Sequence, residues 1–301
     1  CTRRVIRFCC WMRVAMAGNL DQRYPVLEKR NGVGDVVTDF GSNGGYALVP
    51  DSLPGDFYPY LHFQVRAEDI LVVADAALHA YSFDGQLNTE FGEEGIIDGL
   101  ESGISPQTTV LADNSLLWFN YRTIDLATHV TDEGATVLAD SDFSSFHSLI
   151  QEEWPQESYF NINTCLTDTN GRVLCSGYIR LDTSISDVFE YHALVVRMDA
   201  NANFDESWHE TGMLVVAAEG TSYRAMVLLD NGNVLVHLRK DNGENYLQQL
   251  KPDGTTMAEF GDAGFASAFP GTLLLLDTTY GRVVLIGSND AGAIDIWRYW
   301  L

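Results

Sequence analysis

The sequence predicts an all-β fold, a β-propeller of about five four-stranded antiparallel blades. Three observations lead to that prediction. An aromatic residue preceded four positions earlier by an apolar or Thr residue, and followed four positions later by Gly, recurs along the chain. The apolar runs are short, rich in Val, Leu, Ile and aromatic residues, and separated by Gly, Asn and Asp turns, as strands are. No long stretch shows the helical period of about 3.6 residues.

The aromatic signature sets the repeat length. Its four copies occupy residues 36–44, 87–95, 204–212 and 256–264. Phe40 and Phe91 are 51 residues apart, and Trp208 and Phe260 are 52 apart. The 117 residues between Phe91 and Trp208 fit two repeats with extra loop, although no signature occurs near Asp140, where a third copy is expected. A fixed period of this length indicates a repeat architecture.

Two further landmarks complete each repeat. The first is a turn followed by an apolar strand, at residues 68–74, 113–118, 170–175, 231–236 and 280–285. Asn-Gly between apolar runs is a strong hairpin signal. The second is a strand that ends near an Asp-Gly-like turn, at residues 78–85, 127–134, 194–199 and 247–254. With one strand after the signature and one before the hairpin, each repeat supplies four antiparallel strands, whose stacking in a ring hides the sheet edges.

The domain organisation follows from these repeats. Residues 36–301 are predicted to form a single propeller domain of about five repeats, preceded by a lead-in segment at 16–35. Residues 1–15 contain four arginines and no acid, and we interpret them as a non-native or disordered leader. Arg7 and Arg13 interrupt what would be the apolar core of a signal peptide. The compartment therefore stays open between the cytoplasm and secretion by a non-classical route.

The charge of the chain limits its partners. It has 18 Lys and Arg against 42 Asp and Glu, a net charge of -24. Such an acidic surface repels phosphate backbones, so nucleic acid is excluded as a partner. No apolar run approaches the roughly 20 residues of a membrane helix. We expect a soluble monomer that binds a protein or carbohydrate ligand.

Two cysteines, Cys165 and Cys175, belong to the repeats and flank the turn at 168–171. They could face each other across a hairpin and form a disulfide in an oxidising compartment. We favour the alternative, two buried reduced thiols.

The signatures resemble those of the delta-60 repeat, a bacterial propeller-like repeat. The resemblance rests on Leu87–Gly95 with Phe83-Asp84-Gly85 before it, on residues 250–254 followed by Phe260-Gly261, and on a looser match at 170–173 and 196–198. It implies the propeller fold and a bacterial source. It implies no reaction and no catalytic residues.

One segment has the spacing of a calcium loop. Oxygen-bearing side chains fall at alternate positions and at the twelfth, and the candidate ligands are Asp199, Asn201, Asn203, Asp205 and Glu210. Phe204 occupies the sixth position, where the sharp turn of such a loop needs Gly. We therefore favour an ordinary turn between blades, with Ca²⁺ as the alternative and no other cofactor.

The function predicted is that of a non-catalytic binding scaffold. Two polar insertions in the third repeat, 152–159 and 181–190, are expected to be surface loops that carry the ligand-binding residues. The candidates are Glu152, Glu153, Trp154, Tyr159, Asp182 and Asp187. The alternative is a carbohydrate-active propeller, either a lectin-like binder or a glycosidase, whose paired carboxylates would lie around the central channel.

Overall fold

The computed structural model describes residues 10–19, 22–31, 35–49, 61–74, 77–98, 100, 107–119, 127–138, 158–182, 189–199, 203–209, 211–216, 220–271, 273–277, 281–288 and 294–300. The chain divides into two compact units. One contains residues 1–106 and 130–136, and the other contains residues 107–129 and 137–301.

The described residues form six consecutive antiparallel sheets, numbered here in chain order. The first contains β1 (Cys10–Asn19), β2 (Gln22–Asn31) and β3 (Tyr46–Leu48), and the second contains β4 (Leu61–Val65), β5 (Ile70–Ala74), β6 (Ala77–Tyr81) and β7 (Ile96–Ile97). The third contains β8 (Gln107–Val110), β9 (Leu116–Phe119), β10 (Ala127–Val130) and β11 (Thr136–Leu138). The fourth contains β12 (Ser158–Thr167), β13 (Val173–Asp182), β14 (Phe189–Met198) and β15 (Met213–Val215). The fifth contains β16 (Thr221–Leu228), β17 (Val234–Lys240), β18 (Asn245–Leu250) and β19 (Phe265–Ser267), and the sixth contains β20 (Leu273–Asp277), β21 (Arg282–Ser288) and β22 (Ile294–Trp300).

The prediction of an all-β fold built from four-stranded antiparallel blades is confirmed. In every described sheet each strand pairs with the next one along the chain, which is the strand order of a propeller blade. The described residues give six such sheets rather than five repeats, because 10–19 and 22–31 pair as a hairpin that β3 extends. The assignment of 1–15 to a leader, and the number of blades in the whole fold, stay predictions.

The core of each unit lies between neighbouring sheets. In the unit of residues 107–129 and 137–301, strand β17 is buried on both faces: Val236 packs toward the fourth sheet, and Leu235 packs toward the sixth. In the other unit, Leu27 of the first sheet packs against Ile70 and Val72 of the second. A strand buried on both faces reads as a continuous apolar run, which is why 70–74 and 234–236 show no alternation.

The aromatic residue of the signature packs against a turn of the next sheet. Trp208 is buried, and a Cβ on Gly254 would lie 2.7 Å from its ring. A Cβ on Gly85 would likewise lie 2.9 Å from the ring of Phe40. Both glycines have positive φ, so the second residue of each Asp-Gly turn needs Gly for its backbone and for its close approach to the ring.

A cation covers each of these aromatic rings and binds the same turn. Arg197 lies 5.7 Å from the Trp208 ring and donates a hydrogen bond to the carbonyl of Pro252 (2.8 Å). Lys29 lies 5.7 Å from Phe40 and donates to the carbonyl of Phe83 (3.0 Å). The repeat signature therefore encodes a contact between consecutive sheets, with cation–π attraction added to burial.

In the second sheet the cation comes from the turn between β4 and β5 and not from a strand. Ala80 occupies the position of Lys29 and Arg197, since its carbonyl accepts the equivalent backbone hydrogen bond (2.8 Å). Arg66, held by Asp69 (2.6 Å), lies 5.1 Å from Phe91 instead and reaches the carbonyl of Asp132 (3.3 Å). The cation therefore still covers the aromatic ring and binds the next turn, although it comes from a different position in the repeat.

Cys165 and Cys175 form a disulfide, so the prediction of two reduced thiols was wrong. The two residues are direct partners in the register of β12 and β13, with Cα atoms 4.1 Å apart. The turn at 168–171 brings them opposite each other, because the hairpin register is fixed by the hydrogen bonds of that turn.

Candidate functional site

The predicted binding residues lie partly outside the described residues. Glu152, Glu153, Trp154 and Asp187 are among those that the structure does not describe. Tyr159 lies in β12, opposite Arg180 of β13. Asp182 ends β13, opposite Phe189 of β14. Both described candidates thus lie at the same end of the fourth sheet, remote in register from the turn at 168–171.

The expectation that 152–159 and 181–190 are surface loops is wrong where the structure describes them. Ser158 and Tyr159, Leu181 and Asp182, and Phe189 and Glu190 are strand residues, and Leu181 is buried. The reason is that β12, β13 and β14 each continue for ten residues, twice the length of β4, β5 and β6. The extra length of the third repeat extends the sheet.

The side chains of the calcium-like segment bind one another within the turn. Asp199 accepts hydrogen bonds from the backbone and side-chain nitrogens of Asn203 (2.9 and 3.1 Å). Asp205 forms a salt bridge with Arg197 (2.8 Å). Burial raises the pKa of Asp205, but hydrogen bonds from Ser207 and Arg197 and the charge of Arg197 together leave it below its ordinary value.

The segment joins β14 to β15, which are neighbouring strands of the fourth sheet, so it is a turn within one blade and not the turn between blades that we favoured. Asn201 and Glu210 lie outside the described residues, so the Ca²⁺ alternative stays a prediction. In the part of the chain that the structure does describe, no three His, Cys, Asp or Glu side chains are grouped to hold a metal ion.

Four side chains from the fourth and fifth sheets form a second candidate site, here called the arginine–tyrosine cluster: Tyr178, Tyr191, Arg224 and Arg239. The rings of Tyr178 and Tyr191, on β13 and β14, meet edge to face with their centroids 5.3 Å apart. Arg224 lies at the irregularity in the pairing of β16 with β17, where the register shifts between Tyr223 and Ala225.

Arg224 is a half-buried arginine near a second positive charge. Burial lowers the pKa of its guanidinium, and the positive charge of Arg239 lowers it further. Tyr178, Asp241 and Tyr191 act in the opposite direction, which places all of them within electrostatic range of Arg224. Within the described ranges, Arg224 forms no salt bridge and its buried Nε has no hydrogen-bond partner.

A free acceptor lies on the same surface. Asn161 of β12 donates a hydrogen bond from Nδ2 to the Tyr178 hydroxyl (2.9 Å), while its buried Oδ1 has no partner among the described residues. Asn163 binds the backbone carbonyl of Tyr223 and so links β12 to β16. A buried polar atom without a partner is destabilising, and a ligand that supplied the partner would remove that penalty.

Sequence reasoning missed this cluster, because its residues come from four strands. A weak signal was present in β13, where Tyr178 and Arg180 alternate with the buried Ile179 and Leu181 beyond the end of the repeat pattern. That alternation indicates a strand with a polar face. It does not indicate that Arg224 lies opposite.

No family model and no curated protein matches the chain. Among solved structures, it is similar to the WD40 domain of Pan2 from Neurospora crassa, with 7% identity over 94% of this chain and 74% of that one and a TM-score of 0.49. The CNH domain of AfRom2 shows 10% identity over 96% of this chain and 81% of its own, with a TM-score of 0.49. PorZ of Porphyromonas gingivalis shows 8% identity over 97% of this chain and 39% of its own, with a TM-score of 0.47. Similarities this distant carry no argument about what the chain binds.

None of the described residues forms a helix that is both long and apolar enough to cross a membrane.

Proposed function

We propose that this protein is a non-catalytic binding scaffold that recognises its partner through the end of the fourth sheet that carries Tyr178 and Tyr191. The observation that carries the proposal is the extension of β12, β13 and β14 beyond the length of the strands in the second sheet. These added residues include two half-buried tyrosines and Asn161, whose buried Oδ1 has no hydrogen-bond partner among the described residues.

The composition of this end supports a role in recognition. Tyr and Arg are enriched among the residues that contribute most to protein interfaces, because each combines a large contact area with hydrogen-bonding groups. Tyr178 and Tyr191 are neither buried nor fully exposed, so each keeps part of its ring available for contact. A protein partner is accordingly the ligand that we favour.

The acidic groups of the described residues bear on the glycosidase alternative. A glycosidase needs one carboxylic acid whose pKa is raised, so that it can protonate the leaving group. Every carboxyl with a clearly displaced pKa in the described residues has it lowered, and these are Asp84, Asp113, Asp168, Asp205, Glu244 and Asp253.

A carbohydrate ligand is the second candidate. The observation that favours it is the amide of Asn161 bound to the hydroxyl of Tyr178, because an aromatic ring beside a fixed amide suits the apolar face and the hydroxyl groups of a sugar. Membership of the delta-60 repeat proteins, a bacterial source and a monomeric state are also parts of this proposal. The contacts of Phe40, Phe91 and Trp208 with the glycine of the next turn support the repeat assignment.

A capture experiment with two variants tests the proposal. The chain carrying Tyr178→Ala and Tyr191→Ala is compared with Phe269→Ala, which removes an exposed aromatic ring from the segment after the fifth sheet. Proteins from the source organism are cross-linked to each variant and identified, and a glycan array is probed in parallel.

The proposal expects a defined protein partner that the double variant loses and that Phe269→Ala keeps. A partner retained equally by both variants would contradict this surface. Glycan binding lost only with the tyrosines would replace the protein ligand by the carbohydrate one.

A further inference from the structure

The two arginines of the arginine–tyrosine cluster differ in charge pairing from the arginines that lie beside the turns of the same protein. The chain carries 42 acidic residues for 18 basic ones, so an arginine has many potential partners. Arg66, Arg172 and Arg197 each form a salt bridge at 2.6 to 2.8 Å with an Asp of the same sheet. Arg224 and Arg239 form none with the described residues, and each lowers the pKa of the buried His237 between them in sequence.

Two positive charges placed near each other repel, and a bound anion would relieve that repulsion. Burial lowers the pKa of the Arg224 guanidinium most, and the positive charge of Arg239 lowers it further. Asp241 is near enough to oppose this change but forms no ion pair with Arg224 within the described part of the chain. An anion bound here would gain the attraction of both guanidinium groups in surroundings partly shielded from water.

We propose that the arginine–tyrosine cluster binds the carboxylate side chains of an acidic peptide segment in a protein partner. The inference rests on the binding function proposed above and names the chemistry that the surface recognises. Arg224 has a buried N–H that points to no acceptor, and a planar guanidinium suits a carboxylate. Arg239, which is exposed, adds a second charge to the site.

A peptide also matches the remaining polar groups of the surface. The Oδ1 of Asn161 has no hydrogen-bond partner among the described residues, and the backbone N–H of an extended peptide is a donor that lies near its own side-chain carboxylate. The tyrosine hydroxyls can donate to a carboxylate or bind a backbone carbonyl. The rest of the protein is acidic, so only a segment that reaches this cluster gains from its negative charge.

The test uses a fluorescein-labelled oligo-glutamate peptide, with an oligo-glutamine peptide of the same length as the uncharged control. Fluorescence anisotropy at physiological salt gives the dissociation constant for the full chain and for Arg224→Gln. The matched control is Arg298→Gln, since Arg298 is an exposed arginine of the sixth sheet and its loss changes the net charge equally. Circular dichroism and a urea unfolding curve verify that each variant is folded.

Arg224→Gln should weaken binding of oligo-glutamate about tenfold or more, because the site loses a shielded charge. Arg298→Gln should change it less than about twofold, as a distant exposed charge is screened. Arg224→Lys should restore only part of the affinity, because lysine keeps the charge and lacks the planar fork.

Asp241→Asn provides a variant expected to gain affinity. It removes the negative charge that competes for Arg224 while keeping the size of the side chain. Binding of oligo-glutamate should strengthen about twofold to fivefold, the size of an exposed charge effect. Unchanged or weaker binding by a folded Asp241→Asn would contradict the proposed role of Arg224.

Three results would overturn the inference: equal effects of Arg224→Gln and Arg298→Gln, equal binding of the two peptides, or binding of fluorescein-labelled oligoglucuronate with no binding of oligo-glutamate. Each is distinguishable from failure of the scaffold proposal. If the native partner is still lost with Tyr178→Ala and Tyr191→Ala, the scaffold stands and only the acidic chemistry is wrong.

Discussion

Arg197 and Arg224 belong to neighbouring sheets of one unit, and the protein uses them in opposite ways. Arg197 forms a salt bridge with Asp205, donates to the carbonyl of Pro252 and covers the ring of Trp208. Arg224 has no ion pair with a described residue, although Asp241 is within electrostatic range. Both have a pKa lowered chiefly by burial. What distinguishes them is therefore the salt bridge, which Arg197 forms with Asp205 and which Arg224 lacks among the described residues.

The difference separates the two ends of the fourth sheet. The end near the turn at 168–171 is built from pairs that satisfy each other, such as Arg172 with Asp168 (2.6 Å). The end that carries Tyr178 and Tyr191 leaves the Oδ1 of Asn161 without a hydrogen-bond partner among the described residues, and the Nε of Arg224, in the neighbouring fifth sheet, has none either. A structural role explains the first end, whereas the second costs stability that a bound partner would restore. Four experiments test this comparison.

Trp208→Ala should have the largest effect on stability. The side chain is 1% exposed and fills the contact between the fourth and fifth sheets, so its loss should lower the free energy of unfolding by about 4 kcal/mol. Urea unfolding followed by intrinsic fluorescence measures the change. Tyr191→Ala, at the other end of the sheet, should lower it by less than about half as much because its ring is only half-buried.

Reduction of the Cys165–Cys175 disulfide should have the second largest effect on the free energy of unfolding. The bond closes a segment with a sequence separation of 10 residues, for which the chain-entropy relation gives a loss of about 3 kcal/mol. The urea midpoint should fall when dithiothreitol is added. A Cys165→Ala, Cys175→Ala variant should show no response to the reductant. An identical fall in that variant would assign the effect to the other cysteines.

Arg197→Met and Arg224→Met should change the free energy of unfolding by different amounts. The first leaves Asp205 without its partner and should lower the free energy of unfolding by about 2 kcal/mol. The second removes a charge that has no partner, so the free energy should stay within about 0.5 kcal/mol or rise. Equal losses in the two variants would show that Arg224 has a structural role that its contacts do not reveal.

The pH dependence of the free energy of unfolding should depend on His237, whose pKa is influenced by Arg224 and Arg239 of the arginine–tyrosine cluster. Burial lowers the pKa of His237 to about 4, and Arg224 and Arg239 contribute. The folded pKa lies below the ordinary value of about 6.5, so the unfolded chain binds the proton first. Stability should therefore be complete above about pH 6.5 and decline toward pH 4, by about 2 kcal/mol between pH 7 and pH 5.

Arg224→Met provides the control for that measurement. Removing one of the two positive charges should raise the pKa of His237 and so reduce the decline between pH 7 and pH 5. Arg197→Met should leave the slope of this decline unchanged. An unaltered slope in Arg224→Met would mean that the histidine responds to burial alone.

The sequence predicted the fold better than the site, for physical reasons. The signature around Phe91 and Trp208 is a local pattern, and local hydrogen bonds turn it into the same geometry each time. The first sheet was missed because residues 10–31 contain strands without that signature. The disulfide depends on the redox compartment as well as on the register, and the register alone was readable from the turn at 168–171.

The site was harder to predict because its members are brought together by packing. Tyr178 and Tyr191 could be recognised as the polar face of a longer hairpin, but Arg224 belongs to another sheet. Whether a charge is paired depends on distances that neither composition nor spacing specifies. The predicted candidates Tyr159 and Asp182 do lie at the same end of the fourth sheet, in strands rather than in loops.

In the second sheet, Ala80 stands where the first and fourth sheets have a cation, and Arg66 covers the ring of Phe91 in its place. This difference has a consequence for the evolution of such repeats. If a ring can be covered either from a strand or from a turn, mutation of the first cation is tolerated once the second has arisen. Selection would then act on the pair of positions, which should covary among descendants while neither remains invariant. Repeats of this kind can diverge beyond recognition in sequence without losing the contact that joins one sheet to the next.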